Sequence, residues 1–222
     1  MLGLQHKLNQ YWGEALALCA GVLFPLAFAP FELRLALAAS LFLLLLSWQG
    51  VSAKRAFLRG WLWGLGAYLV GVSWVYNSMH DFGGAPPLAA GLFTLVFSAY
   101  LALYPALAGA VWRRFFAASG LSSAIAFGLI WAFTEWMRSW VLTGFPWLLS
   151  GYALLDTPFS SYLPVLGSLG ASALLACAVA GLHLLLQATQ RRQGLGLTAS
   201  ILIAAAGLGL CNWQDEGETK IL

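Results

Sequence analysis

The stretch E-W-M-R-S-W-V-L-T-G-F-P-W-L-L-S-G-Y-A-L-L-D-T-P-F-S-S-Y-L-P, Glu135 to Pro164, decides how the rest of the chain is read. Apolar runs of helix length flank it on both sides. The stretch itself is interrupted by Gly144, Pro146, Gly151, Pro158 and Pro164. Proline cannot donate to a helical ladder and glycine weakens one, so a single continuous helix is excluded. The same residues carry Trp136, Trp140, Phe145, Trp147, Tyr152 and Tyr162, and set Glu135, Arg138 and Asp156 among apolar neighbours. A hydrophobic, aromatic segment that cannot form one helix is expected to lie at, or dip into, a membrane surface.

The composition agrees. Of 222 residues, 61% are hydrophobic and only 9% are charged, with a mean hydropathy of +0.81. Soluble domains carry roughly 25% charged residues, and a chain this short cannot bury so much apolar surface in one water-soluble core. The expected fold is all-α: a polytopic transmembrane helical bundle. The net charge of +3 is too small to point to nucleic acid, and no such partner is expected. Cys19, Cys177 and Cys211 are odd in number and lack metal-ligand spacing, so they read as small buried apolar residues. His6 and Lys7 precede the first apolar run, and no small-residue cleavage site follows it. The run reads as an uncleaved first span.

A spanning helix needs about 20 mostly apolar residues. Seven runs qualify, at about 14–29, 33–48, 57–77, 87–112, 121–141, 164–187 and 195–213. Together they make residues 1–213 one transmembrane domain. The first two are short enough to form a shallow hairpin instead of two crossings. Pro105 is expected to kink the fourth. Residues 214–222 turn acidic and read as the start of a linker leaving the membrane.

The connections set the orientation. One alternate set holds eight basic residues: Lys7, Lys54, Arg55, Arg59, Arg113, Arg114, Arg191 and Arg192. The other holds only Arg34, Arg138 and Lys220, together with most of the acids. Basic loops stay on the cytoplasmic side. The N-terminus is therefore expected inside and the C-terminus outside. The Glu135–Pro164 element faces outward, as does a second loop, W-V-Y-N-S-M-H-D-F-G-G-A-P-P, Trp74 to Pro87.

Glu135 and Arg138, spaced i, i+3, share a helix face. Two readings stand: a pair neutralising itself at the interface, or a functional charge, with Arg138 meeting a lipid phosphate. His80 beside Asp81 reads as surface loop, since no G-x-S-x-G elbow accompanies it. His183 is a lone polar residue in a span. The glycines of W-L-W-G-L-G-A-Y, Trp61 to Tyr68, read as close helix contacts. No metal cluster, nucleotide loop or activated nucleophile can be assembled.

Several stretches together resemble one family, the bacterial apolipoprotein N-acyltransferases. The strongest is L-T-G-F-P-W-L-L-S-G-Y-A-L-L-D-T-P (Leu142 to Pro158), preceded by W-A-F-T-E-W-M-R-S-W (Trp131 to Trp140). G-V-S-W-V-Y-N-S-M-H-D-F-G-G (Gly71 to Gly84) and L-A-F-A-P-F (Leu26 to Phe31) support it. The resemblance implies a membrane domain joined to a periplasmic nitrilase-like domain, in the bacterial inner membrane. In that domain a glutamate, a lysine and a cysteine do the chemistry. The cysteine takes an acyl chain from a phospholipid as a thioester and passes it to the N-terminal S-diacylglyceryl-cysteine of a lipoprotein. The chain reaches Leu222 about where the resemblance puts the start of the nitrilase-like domain. No catalytic residue carries over, and the chain alone is expected to be inactive; that domain is expected in cis or in trans. Gly144, Phe145, Pro146 and Trp147 match the family's loop beneath the active-site mouth, and Trp74, Tyr76, Phe82 and Gly83 match the neighbouring loop. With Glu135, Arg138 and Tyr152, these are the residues expected to meet substrate. No metal or cofactor is expected. The alternatives are a non-enzymatic lipid-binding or scaffolding remnant and a small transporter. A transporter more often shows paired broken helices in two similar halves, whereas only one broken element and no repeat are found.

Overall fold

In the computed structural model the described residues are 2–116 and 120–211, and all regular structure among them is helical. The principal helices are α1 (Leu2–Leu23), α2 (Arg34–Ser47), α3 (Ala53–Gly71), the short α4 (Trp74–Asn77), α5 (Pro87–Leu101), α6 (Leu103–Phe115), α7 (Leu121–Arg138), α8 (Leu163–Leu185) and α9 (Arg191–Gly209). The acidic stretch 214–222 and the end of the seventh expected span lie outside the described residues.

Each apolar run becomes a helix, with boundaries that local chemistry explains. Helix α1 begins well before Glu14, because a helix continues through polar residues that no span requires. The fourth run breaks at Ala102, where α5 hands over to α6. Pro105 lacks the N–H that Leu101 O would accept, which loosens the ladder just ahead of it. Two segments are long and apolar enough to cross a membrane: Pro87–Phe115, 29 residues, and Pro158–Leu185, 28 residues. Helix α2 has 14 residues, a rise of only about 21 Å.

Six helices close a ring. Going round it, α1 packs on α3, α3 on α6, α6 on α7, α7 on α8, α8 on α2, and α2 on α1. Helices α5 and α9 lie outside, on α3 and α8. A chain of aromatic rings fills the middle. Phe24 and Trp63 stand 4.8 Å apart, Trp63 and Trp131 5.2 Å, and Phe127 touches Trp131, Trp48 and Trp112 at 6.4, 5.9 and 6.1 Å. Four of these contacts are edge-on and the Phe127–Trp131 pair is stacked, both geometries that aromatic pairs favour. Three indole N–H groups find partners inside: Trp63 donates to Ser40 Oγ, Trp131 to Ser150 Oγ and Trp112 to Ser123 O, each at 3.0 Å.

The outward surface is apolar. Leu35 is 85% exposed and Ile203 71%, while Arg138 is 1% exposed and Glu135 4%. Cys177 is buried as expected, but Cys19 and Cys211 are exposed. On such a helix the outward face is as apolar as the inward one, so residue type does not report the side.

Close approach at α3 requires a small residue. A Cβ on Gly64 would stand 2.5 Å from Ala102 Cα. Gly64→Ala should therefore cost about 1–3 kcal/mol through overpacking and lower the thermal unfolding midpoint in detergent. Gly196, with nothing within 4 Å of its Cβ position, should accept alanine with no loss or a gain of up to about 1 kcal/mol.

Candidate lipid-facing cleft

Beyond Arg138 the chain leaves α7 and runs through short 3-10 turns at Val141–Thr143, Ser150–Leu154 and Pro158–Tyr162 before α8 begins. Within it Leu142, Thr143 and Leu148 all have positive φ, at 52°, 74° and 55°. Each such non-glycine residue costs of order 1–3 kcal/mol and persists only where its surroundings over-determine it. Gly144 also has positive φ, 77°, and a Cβ there would lie 2.0 Å from Ser139 O.

Arg138 supplies the restraint. Its guanidinium donates to Phe145 O at 2.8 Å, to Trp147 O, and to Leu148 O at 3.3 Å. Phe145 N in turn donates to Arg138 O at 2.8 Å. The charged group also lies over the Tyr68 ring of α3, 5.3 Å from its centroid. Glu135 holds the next part of the loop. Its Oε1 accepts from Ser150 N at 2.8 Å and from Ser150 Oγ at 2.7 Å. No ion pair within 4 Å joins Glu135 to Arg138 among the described residues. Both are buried, so each faces the loop backbone rather than the surroundings. Loop carbonyls are the partners of Arg138.

The pinned loop forms one wall of an apolar cleft of about 720 Å³. A second wall is Pro25 with Phe28–Phe31, and a third is the end of α3 with Ser73 and Trp74. Pro146, Trp147, Leu148 and Tyr152 complete it. The walls meet at Gly71, where a Cβ would stand 2.3 Å from Leu148 Cδ1 and 3.1 Å from Pro25 Cγ. Trp74 packs against Trp147 at 5.4 Å and stacks on Phe145 at 6.4 Å, and Phe145 meets Phe97 of α5 edge-on at 5.0 Å. Trp74, Trp147 and Tyr152 remain between 42% and 50% exposed at the rim.

Of the residues expected to meet substrate, Trp74, Pro146, Trp147 and Tyr152 line the cleft, and Phe145 backs Trp74 from outside it. Tyr76, Phe82 and Gly83 do not line it. Tyr76 lies tilted against His80, whose Nδ1 lies 2.8 Å from Ala85 O, and Phe82 is 90% exposed in the π turn Ser78–Phe82. One contributor escaped the sequence reading. Arg34 Nη2 reaches Asp156 Oδ2 at 2.7 Å, while its Nη1 donates to Ala27 O at 3.0 Å. It thereby ties the Pro25–Phe31 wall to the segment after Tyr152. Its place as one of only three basic residues in the acidic set of connections was the available signal. Among the described residues no group of three or more His, Cys, Asp or Glu could hold a metal ion.

The profile of the apolipoprotein N-acyltransferase N-terminal domain matches residues 20–182. The chain belongs to this family. It is 42% identical over 204 residues to an apolipoprotein N-acyltransferase of Methylococcus capsulatus, covering 89% of this chain and 40% of that relative. The same-named protein of Pseudomonas syringae pv. tomato is 40% identical over 208 residues, covering 89% and 40%. That of Vibrio cholerae is 39% identical over 209 residues, covering 93% and 40%. The chain thus spans about two fifths of the length of these relatives.

If Arg138 pins the loop, Arg138→Met should leave the carbonyls of Phe145, Trp147 and Leu148 without their donor, at about 1–3 kcal/mol for each buried unmet group. Hydrogen exchange across 139–150 should speed up by tenfold or more, with α8 unchanged. Arg34→Ala should do far less, because Asp156 is exposed and such surface pairs contribute about 0–1 kcal/mol.

Proposed function

We propose that this chain is the membrane-side part of an apolipoprotein N-acyltransferase, in which the cleft takes up lipid acyl chains from the side. The observation that carries the reading is the cleft itself. Three stretches distant in sequence converge on an apolar, aromatic-rimmed space whose volume falls within the roughly 300–1,000 Å³ of small-molecule sites. Its walls contain no charged side chain, which suits a hydrocarbon tail better than a polar metabolite. Exposed leucines and isoleucines around buried Arg138, Glu135 and Arg59 are the inverse of a water-soluble surface, and support a bilayer setting.

In this reading the bundle crosses the bacterial inner membrane about seven times. The N-terminus is cytoplasmic, and the cleft opens at the periplasmic side, where most of the acidic loop residues gather. Trp74, Trp147 and Tyr152 hold the tail at the rim, while Glu135 and Arg138 position the loop without touching lipid. The family's chemistry is transfer of an acyl group from a phospholipid, through a cysteine thioester, to the amino group of a diacylglyceryl-cysteine lipoprotein. A nitrilase-like domain, in cis or in trans, supplies that cysteine.

Phospholipid carrying a photoreactive group in its acyl chain should crosslink to the 145–152 and 71–74 segments of this chain in nanodiscs. With a nitrilase-like domain supplied, Trp147→Ala should raise KM for phospholipid about tenfold, the equivalent of about 1.4 kcal/mol, with kcat little changed. Crosslinks scattered over the outer helix faces, together with unchanged transfer at limiting phospholipid, would overturn the reading.

A further inference from the structure

A second surface lies at the other end of α3, where the acyl-transfer reading makes no use of it. Ala53, Lys54 and Phe57 of α3 and Ala110 of α6 line a groove of about 280 Å³. Lys54 is exposed on its edge. Arg113, one turn beyond Ala110, donates from Nε to Val51 O at 2.9 Å, which holds its guanidinium beside the start of α3. Arg114 is exposed, and its Cζ lies 5.6 Å from the centroid of the Phe115 ring, itself 69% exposed.

The charge here is uncompensated. Among the described residues no carboxylate comes within ion-pair distance of Lys54, Arg113 or Arg114. Glu14 is engaged with Arg55 at 3.6 Å. Arg59 turns inward, to Ser47 O. The groove also sits at the first turn of α3, where Ser52 Oγ accepts from Arg55 N and the helix dipole favours an anion. Lys54 and Arg113 thus flank the start of α3 beside an apolar slot floored by Phe57 and Ala110. A soluble anion would have no use for the slot, and a neutral lipid none for the cations. A lipid with a negative head group uses both, as basic pockets between cytoplasmic helix ends do elsewhere.

We propose that this groove binds one anionic phospholipid of the inner leaflet. Its phosphate lies between Lys54 and Arg113, and an acyl chain lies along Phe57 and Ala110. The inference rests on the membrane orientation proposed above and is separate from the acyl-transfer reading.

Native mass spectrometry of the detergent-solubilised chain, titrated with phosphatidylglycerol or with phosphatidylcholine of the same acyl chains, tests it. Phosphatidylglycerol should bind more tightly. Lys54→Gln combined with Arg113→Gln should weaken it about twenty-five-fold, each basic charge near an anionic surface contributing about five-fold. Ala110→Phe, which keeps the charges and fills the slot, should weaken both lipids. Arg191→Gln with Arg192→Gln, basic residues of α9, should leave the preference intact. Equal affinity for the two head groups in the parent chain overturns the proposal, as does an equal loss from the α9 pair. A chain that stays monodisperse without detergent and retains neither lipid overturns the bilayer setting itself, and this site with it.

Discussion

One buried cation sets the shape of the outer end of this molecule. The Arg138 guanidinium spreads over the carbonyls of Phe145, Trp147 and Leu148 and lies over the Tyr68 ring. Hydrogen bonds to a charged group contribute about 1.5–3 kcal/mol each. Three of them match the strain of Leu142, Thr143 and Leu148 in left-handed backbone. Without that offset the loop has easier conformations, and the ring of Trp147 has no reason to face Trp74. Glu135 extends the same arrangement. Its bonds to Ser150 place the serine where the Trp131 indole can donate to it at 3.0 Å. The loop is thereby joined to the row of rings inside the bundle, and the cleft wall inherits the rigidity of the core.

That coupling explains why a charged pair is tolerated within such an apolar bundle. Neither residue neutralises the other by direct contact. Each instead satisfies backbone groups that a broken helix leaves without partners, a need that becomes severe where no water is available. Gly144 and Pro146 keep the segment after α7 from continuing as helix, and Arg138, the last residue of α7, answers the carbonyls of Phe145, Trp147 and Leu148. The ion pair of Arg34 with Asp156 closes the rim in a weaker way, since Asp156 is open to solvent. The cleft is thus fixed firmly where Arg138 holds it and more loosely where Arg34 meets Asp156.

The helices were legible because length, apolarity and breakers are local properties. So were the aromatic loops, and the close contact at Gly64. What escaped depended on which way a side chain turns. Glu135 and Arg138 stand on one helix face and were open to an interfacial reading, but the same face looks inward at the loop. Trp48, Trp63, Trp112 and Trp131 come from four helices, and nothing in sequence spacing announces their meeting. Cys19 sits in an apolar run like Cys177, yet one is exposed and the other buried. Phe82 and Gly83 share a motif with Trp74, and only Trp74 turns into the cleft. In a bundle apolar on both faces, composition fixes the solvent of a helix and leaves its rotation open.

The segments that carry the family likeness are also the ones that build the cleft. Residues 26–31, 71–74 and 145–152, parts of the stretches 26–31, 71–84 and 142–158 that carry the resemblance, are separated by whole helices. They meet at Gly71, against Leu148 and Pro25. In a cleft wall the volume of each ring sets the space left for its neighbour, whereas outward residues such as Leu35 and Ile203 lie largely exposed. All three segments lie within residues 20–182, the span that matches the family profile, so the cleft is built from residues that the family likeness covers.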